Sequence, residues 1–547
     1  VSGAEGGGPG RRGLAALAWG LLALSAAVGS TLWLQAWLGH FDAVRSSTGA
    51  WILAHVDLVQ RVGDYKAAAA VSLVPNTTYN PLYPGLLTVS GQVGTPLVVA
   101  AHRLAAAAVG ICGVALALFW SRAGGGLVGL AAAVAVLFPP LLASGGLVRP
   151  DTLAVALSLL SVAAAARARS EGGAAWFLGG VLAGLTYLAR EFTVGPALGA
   201  LSVAWLLAAW RDRRLEPVLG SALLVVLGVA AGALPLPLSL GLSPWGGLDA
   251  LLGYGRTGHA GAAADSAAAL LYLDVMPIPL ALALLGWVLA LLRGRDRGAV
   301  LVGLGALLPF AAFLLSAQQS PQYYLLGHVL FLSGIAGLGL LWRRWPVQLV
   351  LAGVLLALAL PSARALTPRL VQADRNRHPR IHTEGWPCGP DEPAEIIDRA
   401  MEWVGDRPLL VSSGRVENID ALVPLRHHRP AAFVFANWQD RVPEIVSLYD
   451  GEPVYYLSVE GRTDGHPLPD GAVVVDQWES AELSAVLALV SGRDAPPGVD
   501  LCENGGPVRG ACVQRAWLQL GDEGLPARVR ARGAEFQQRL TASTRWW

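Results

Sequence analysis

Carboxylates and guanidinium groups set at the edges of long apolar runs are the residues of this chain that can do chemistry. The stretch from His40 to Leu87 carries Asp42, Asp57 and Asp64 and a tyrosine–proline cluster, Tyr79-Asn80-Pro81-Leu82-Tyr83-Pro84. A bare connector between helices takes a few residues, and this one is roughly ten times that. Further on come His102-Arg103, Val148-Arg149-Pro150-Asp151, Arg190-Glu191 and Pro321-Gln322-Tyr323-Tyr324. A carboxylate can take the proton of a hydroxyl within hydrogen-bond reach, and a guanidinium grips a phosphate through two parallel hydrogen bonds.

Each of these residues also has a plainer role open to it. Asp42, four residues past the first apolar run, is either a solvated helix-exit residue or a catalytic one. Asp64, in Gly63-Asp64-Tyr65, fits a turn as well as a site, and Asp57 fits the polar face of a helix. Asp151 suits the start of a helix, where its charge complements the dipole; that account leaves Arg149 unexplained. Arg103 lies within an apolar run and must reach outward or meet an anion. Arg190-Glu191 can satisfy itself as a pair, and Tyr323, Tyr324 and His328 fit an interfacial aromatic belt as well as ligand contacts.

The elements that must position these groups are membrane helices. Only 14% of the 547 residues are charged and 54% are apolar, against about 25% charged in a soluble domain. The net charge of +1 excludes a nucleic-acid partner, which requires a basic surface. About 20 apolar residues cross a bilayer, and by that measure about eleven runs do so: 14–38, 96–120, 125–147, 151–166, 174–189, 193–210, 217–240, 276–292, 299–317, 322–341 and 346–361. The first, behind Arg11-Arg12, imitates a signal peptide but is long for one, and is taken as an uncleaved span.

Arg11-Arg12, Arg122, Arg167 with Arg169, Arg211 with Arg213-Arg214, Arg293 with Arg295 and Arg297, and Arg343-Arg344 fall on alternate connectors. Short Arg-rich loops stay cytoplasmic, so the N-terminus is expected inside and the C-terminal region outside, in a plasma (inner) membrane. The candidate residues named above then share the outer side with a long connector, 241–275. Residues 48–62 repeat apolar positions at 3–4 spacing, as an interfacial helix does, and Leu248, Leu251-Leu252 and Tyr254 suggest a second.

From about Pro361 the charge density becomes ordinary. A helix over 391–404, strand-like runs at 408–411, 432–435, 454–457 and 472–475, and helical stretches at 417–428, 438–450 and 479–491 predict a small α/β domain with a largely parallel sheet. No glycine-rich phosphate fingerprint follows a strand. In an oxidising compartment Cys502 and Cys512 are expected to pair. The fold class expected is therefore a polytopic α-helical membrane protein, residues 1–361 with a large first outer loop (39–95), carrying an extracytoplasmic α/β domain, 362–547.

The order of these motifs resembles the polytopic glycosyltransferases of the C superfamily. The set comprises an aspartate after the first span, Gly63-Asp64-Tyr65, Tyr79 to Pro84, Val148-Arg149-Pro150-Asp151, Arg103 and the Pro321-Gln322-Tyr323-Tyr324 loop. Its nearest likeness is to enzymes similar to dolichyl-phosphate-mannose protein mannosyltransferases and lipid A aminoarabinose transferases. The resemblance covers roughly residues 14–361. It implies a polyprenyl-phosphate-linked sugar as donor, a hydroxyl acceptor and inverting transfer at the outer face.

The family's first-loop aspartate falls on Asp42 and its second acidic position on Asp151. Asp57 and Asp64 stay open for the base, because Ala43 stands where many relatives have a second acid and the gap from Asp42 to Gly63-Asp64 is longer than the resemblance implies. Arg103, Arg149, Arg190, His102, Tyr83, Tyr323 and Tyr324 are the candidates for holding donor phosphate and lipid. The carboxylates are also of a type that binds a divalent cation, without an arrangement that demands one. Two other readings remain: a transporter, for which no repeated pair of interrupted spans is visible, and a non-catalytic lipid-binding member of the same fold.

Overall fold

The computed structural model describes residues 47–63, 65, 80–92, 97–123, 150–212, 215–246, 248, 277–294, 296–314, 325–341, 391–413, 431–433 and 453–490, with isolated positions between 346 and 446. The N-terminal part is helical: α1 Ser47–Val62, α2 Leu82–Gln92, α3 Leu97–Ala123, α4 Asp151–Glu171, α5 Gly173–Ala189, α6 Val194–Asp212, α7 Leu215–Ala233, α8 Pro235–Ser239, α9 Pro277–Arg293, α10 Arg297–Leu314 and α11 Leu325–Leu332. Four stretches among the described residues are long and apolar enough to cross a membrane: Val99–Ala123, Asp151–Glu171, Val194–Arg211 and Pro217–Ser239. The expected spans at 14–38 and 125–147, most of 346–361, the Leu251 to Tyr254 segment and Cys502 with Cys512 lie outside the described residues.

Two of the expected spans are interrupted. The run 217–240 stops at Ala233 and resumes as the short α8, because Pro235 and Pro237 lack the N–H that an uninterrupted helix would use. The run 322–341 is α-helical only over α11, then tightens to a 3₁₀ helix, Ser333–Leu341. There Gly334 and Gly337 press their backbone against Gly286 of α9, so closely that a Cβ at Gly286 would lie 1.9 Å from the Gly334 carbonyl oxygen. A tryptophan cluster locks the same contact: Trp120 Nε1 donates to Ser333 Oγ at 2.9 Å and Trp287 Nε1 to the Phe331 carbonyl at 2.9 Å.

Small residues bring other helices equally close. Gly180 and Gly184 of α5 face Gly228 and Gly232 of α7, and a Cβ at any of the four would fall 2.2–2.5 Å from a backbone oxygen of the opposite helix. In a bilayer no hydrophobic force drives helices together, so close backbone packing through paired small residues takes its place.

Both ends of the bundle carry charge, of different kinds. Arg122 Nε meets Asp296 Oδ2 at 3.1 Å, joining the end of α3 to the start of α10. Arg167 reaches the Leu118 carbonyl and Ser121 Oγ, each at 3.3 Å. The arginines that end α3 and α4 therefore share one end with the start of α10. Asp151 opens α4, and 21 residues of helix at about 1.5 Å each separate it from that end.

The C-terminal part is α12 Asp391–Val404 and a five-stranded sheet, β1 Leu409–Ser413, β2 Ala432–Phe433, β3 Val454–Gly461, β4 Val473–Glu479 and β5 Leu483–Val490, in the order β2-β1-β3-β5-β4. Two expectations are corrected here. The helix expected over 479–491 is replaced among the described residues by a strand, 483–490, whose side chains are nearly all buried. Burial on both faces removes the alternation that marks a half-buried strand, and the alanines and leucines of the segment imitate a helix. The sheet is also mixed rather than largely parallel, since β5 runs antiparallel to both β3 and β4. β2 contacts α1, which in turn packs on α2, so these helices connect the sheet to the bundle.

Glu392 holds the β4–β5 turn. Its Oε1 accepts the N–H groups of Glu482 at 2.9 Å and Leu483 at 3.2 Å, and Ser480 Oγ donates to the same oxygen. Glu392→Ala removes a charged acceptor from three donors and is expected to cost about 1.5–3 kcal/mol, read as a lowered unfolding midpoint with the secondary structure unchanged.

Candidate active site

The residues named from the sequence are not all within the described set. Asp42, Asp64, Arg149, Tyr323 and Tyr324 lie outside it. His102 and Arg103 fall in the first two turns of α3, with Arg103 exposed. Tyr83 is buried in the bundle core beside Leu87 and Ile52, and Asp57 is half-buried on α1.

Asp151 and Arg190 are brought together. Pro150 precedes α4 and the helix has no side-chain cap, so Asp151 does not act as a capping group. Its Oδ1 instead lies 3.0 Å from Arg190 Nε, with the two side chains 4% and 7% exposed. The backbone makes this meeting. α5 ends at Arg190 in an extended conformation (φ −162°, ψ 117°), and a single 3₁₀ turn, Glu191–Thr193, then leads into α6. Thr193 Oγ1 closes the corner on the Arg190 carbonyl at 2.8 Å. The break in the helix turns the guanidinium toward α4 instead of along the α5 axis.

Glu191 and Asn80 complete the cluster, and both are buried. Asn80 Nδ2 donates to the Tyr187 carbonyl, one turn before Arg190, and its side chain also hydrogen-bonds the Glu191 carboxyl. Burial holds that carboxyl above the usual carboxylate range. The Arg190 charge, the Glu191 backbone N–H and Asn80 oppose the shift, and Asp151 adds to it. Tyr187 ties in one more segment: its hydroxyl donates to the Pro244 carbonyl and accepts the Leu248 N–H, each at 3.0 Å.

Asp151 Oδ2 and Thr152 Oγ1 are buried and have no hydrogen-bond partner. A buried carboxylate with one oxygen on a guanidinium and the other unengaged can accept a hydrogen bond from a bound hydroxyl. Tyr187 was not named from the sequence, and Glu191 and Asn80 were named only within the Arg190-Glu191 pair and the Tyr79 to Pro84 cluster, with no site role of their own. For Asn80 the available signal was its position between Tyr79 and Pro81 in an otherwise apolar cluster. No group of three or more His, Cys, Asp or Glu side chains suited to a metal ion occurs among the described residues.

The fold and the cluster define a class, a helical protein of the membrane type with a buried acid–guanidinium centre at one end of its bundle. The chain is similar to the crystal structure of ArnT from Cupriavidus metallidurans bound to undecaprenyl phosphate, at 13% identity and a TM-score of 0.47, over 86% of this chain and 98% of that one. The apo state of the same protein aligns at 13% identity with a TM-score of 0.43, over 88% and 100%. The Archaeoglobus fulgidus oligosaccharyltransferase in complex with Zn and sulfate aligns at 13% identity with a TM-score of 0.38, over 79% and 68%. No family model and no curated relative matches the sequence.

Proposed function

We propose that the chain is an integral-membrane glycosyltransferase that moves a sugar from a polyprenyl-phosphate donor to a hydroxyl acceptor at the extracytoplasmic face, with inversion and an aspartate base. The observation that carries the reading is the buried Asp151–Arg190 pair with its unengaged carboxylate oxygen, at the opposite end of α4 from its arginines. A structural ion pair has no need of a spare buried acceptor, and leaving one unmade is unfavourable. The motif order described from the sequence supports the same reading.

In the reaction the acceptor oxygen attacks the anomeric carbon, the bond from that carbon to the phosphate oxygen breaks, and the hydroxyl proton passes to a carboxylate. The departing lipid phosphate needs no strong acid, only cationic groups to hold its charge. Arg190 is suited to this, as are Arg149 and Arg103, and Asp42, Asp64 and Asp151 are the candidate bases. The Arg-rich end is the cytoplasmic one in this proposal. The 362–547 domain then lies outside, with the protein in the plasma membrane. A lipid-borne donor accounts for an enzyme embedded in the bilayer.

The test is transfer of radiolabelled sugar from a polyprenyl-phosphate donor in membranes carrying the full chain. Asp42→Asn is expected to abolish transfer while membrane insertion and the unfolding midpoint stay unchanged. Near-normal turnover in that variant moves the base to Asp151 or Asp64, and absence of transfer by the wild-type chain across donor sugars overturns the proposal.

A further inference from the structure

We propose that Asn80 is a positioning residue of this site, acting on the Arg190 guanidinium through the carboxyl of Glu191; the role rests on the glycosyltransferase reading above. Asn80 ends the long first outer stretch, just before α2, and its side chain is wholly buried. The amide bridges two points of the α5–α6 corner: the Tyr187 carbonyl, to which Nδ2 donates, and the Glu191 carboxyl. Proline at 81 restrains the backbone of Asn80 to extended conformations, and α2 is anchored in turn by Gln60 Nε2 of α1, which donates to the Thr88 carbonyl at 3.1 Å. The amide is therefore held from its own side before it meets the corner.

Glu191 adjoins Arg190, and Arg190 holds Asp151. The buried groups thus run Asn80, Glu191, Arg190, Asp151, with the spare carboxylate oxygen at the far end. The guanidinium holds the Asp151 carboxylate, and its charge also acts on the Glu191 carboxyl. A donor that stabilises the Glu191 anion therefore fixes the charge standing beside the guanidinium that holds Asp151. Asparagine suits the task because its amide carries two donors on one nitrogen and adds no charge. Aspartate in its place would add a third carboxylate to the cluster.

The coupling has a titration signature that a purely structural asparagine lacks. Burial raises the Glu191 carboxyl, and Asn80 is one of the groups that limits the rise. A carboxyl raised in the folded state adds stability at low pH, and that increment is lost as pH climbs from the ordinary carboxylate value through the folded one. Losing a hydrogen bond to the anion pushes the folded value further up. In Asn80→Ala the window in which stability is lost therefore extends to higher pH. In a Glu191→Gln background it is absent with or without Asn80.

The experiment measures the unfolding midpoint of the full-length chain in detergent against pH, for wild type, Asn80→Ala, Glu191→Gln and the double variant. Tyr187→Phe serves as a contrast, since it keeps the carbonyl that Asn80 uses. The expected result is an upward shift of the window in Asn80→Ala alone, and none in Tyr187→Phe. The acid limb of transfer, assayed with polyprenyl-phosphate mannose, is expected to move by the same amount in the same direction. An equal effect of Asn80→Ala with Glu191 and with Gln at 191 overturns the proposal, as does an unmoved acid limb in an active Asn80→Ala enzyme. A shifted stability window in a wild-type chain that transfers no sugar leaves the Asn80–Glu191 coupling standing and sinks the transferase reading instead.

Discussion

Arg190→Ala is expected to lower stability by about 3–5 kcal/mol, the cost of leaving a buried charge without its partner. Asp151 is 3% exposed and already has one oxygen without a hydrogen bond; losing the guanidinium takes the countercharge from the other. The cost comes from the orphaned carboxylate more than from the lost attraction, and a second variant separates the two. Arg190→Met combined with Asp151→Leu removes both charges and is expected to recover most of the unfolding midpoint, because apolar replacements of similar volume tolerate burial. Transfer is expected to be lost in both variants. Arg190→Lys is expected to restore little of it, since a lysine offers a point charge in place of the planar fork. An Arg190→Ala protein with a wild-type midpoint shows that the pair is not closed in solution.

Gly228→Leu carries the second large effect, and for a different reason. A Cβ at this position would sit 2.3 Å from the Phe177 carbonyl oxygen and 3.0 Å from the Cα of Gly180. The obstacle is backbone, so no side-chain rotation relieves it and α5 and α7 must separate. Overpacking ordinarily costs about 1–3 kcal/mol where side chains can yield; here the whole Gly180–Gly184 and Gly228–Gly232 contact opens, and a larger loss is expected. The α5–α6 corner holding Arg190 and Glu191 directly continues α5, so the site is expected to fail with the interface. Gly220→Ala is the control on the same helix. Nothing lies within 4 Å of its added Cβ, and the gain in helix propensity, up to about 1 kcal/mol, makes it neutral or mildly stabilising. Size-exclusion of heated samples distinguishes the two, and equal recovery of Gly228→Leu and wild type rules out the close backbone packing.

The two effects meet in one arrangement. Close glycine packing sets α5 against α7, and α5 also packs on α4; the α5 break then delivers Arg190 to the first residue of α4. The sheet reaches the bundle through α1 and β2, and α1 is tied to α2 by Gln60, directly after Asn80. Long-range packing thus brings residues from three separate stretches of chain into one water-excluded cluster, where charge interactions are strong.

What the sequence alone determined follows from short-range regularities. Apolar runs of bilayer length located the helices, with α4, α5, α6 and α9 beginning and ending within a few residues of the expected bounds. The amphipathic repeat located α1, and the Asp391 start signal located α12. Each depends on the period or the capping chemistry of one contiguous segment, which the chain states directly. The tertiary structure decided everything that depends on partners. Asp151 fitted both a helix start and a charged site, and only its approach to Arg190 showed where its oxygen goes. Asn80 had no visible role until the Tyr187 carbonyl and the Glu191 carboxyl were placed beside it. The segment 483–490 was misassigned because burial on both faces erases the alternation of a strand, and that burial is itself a product of neighbours far away in the chain.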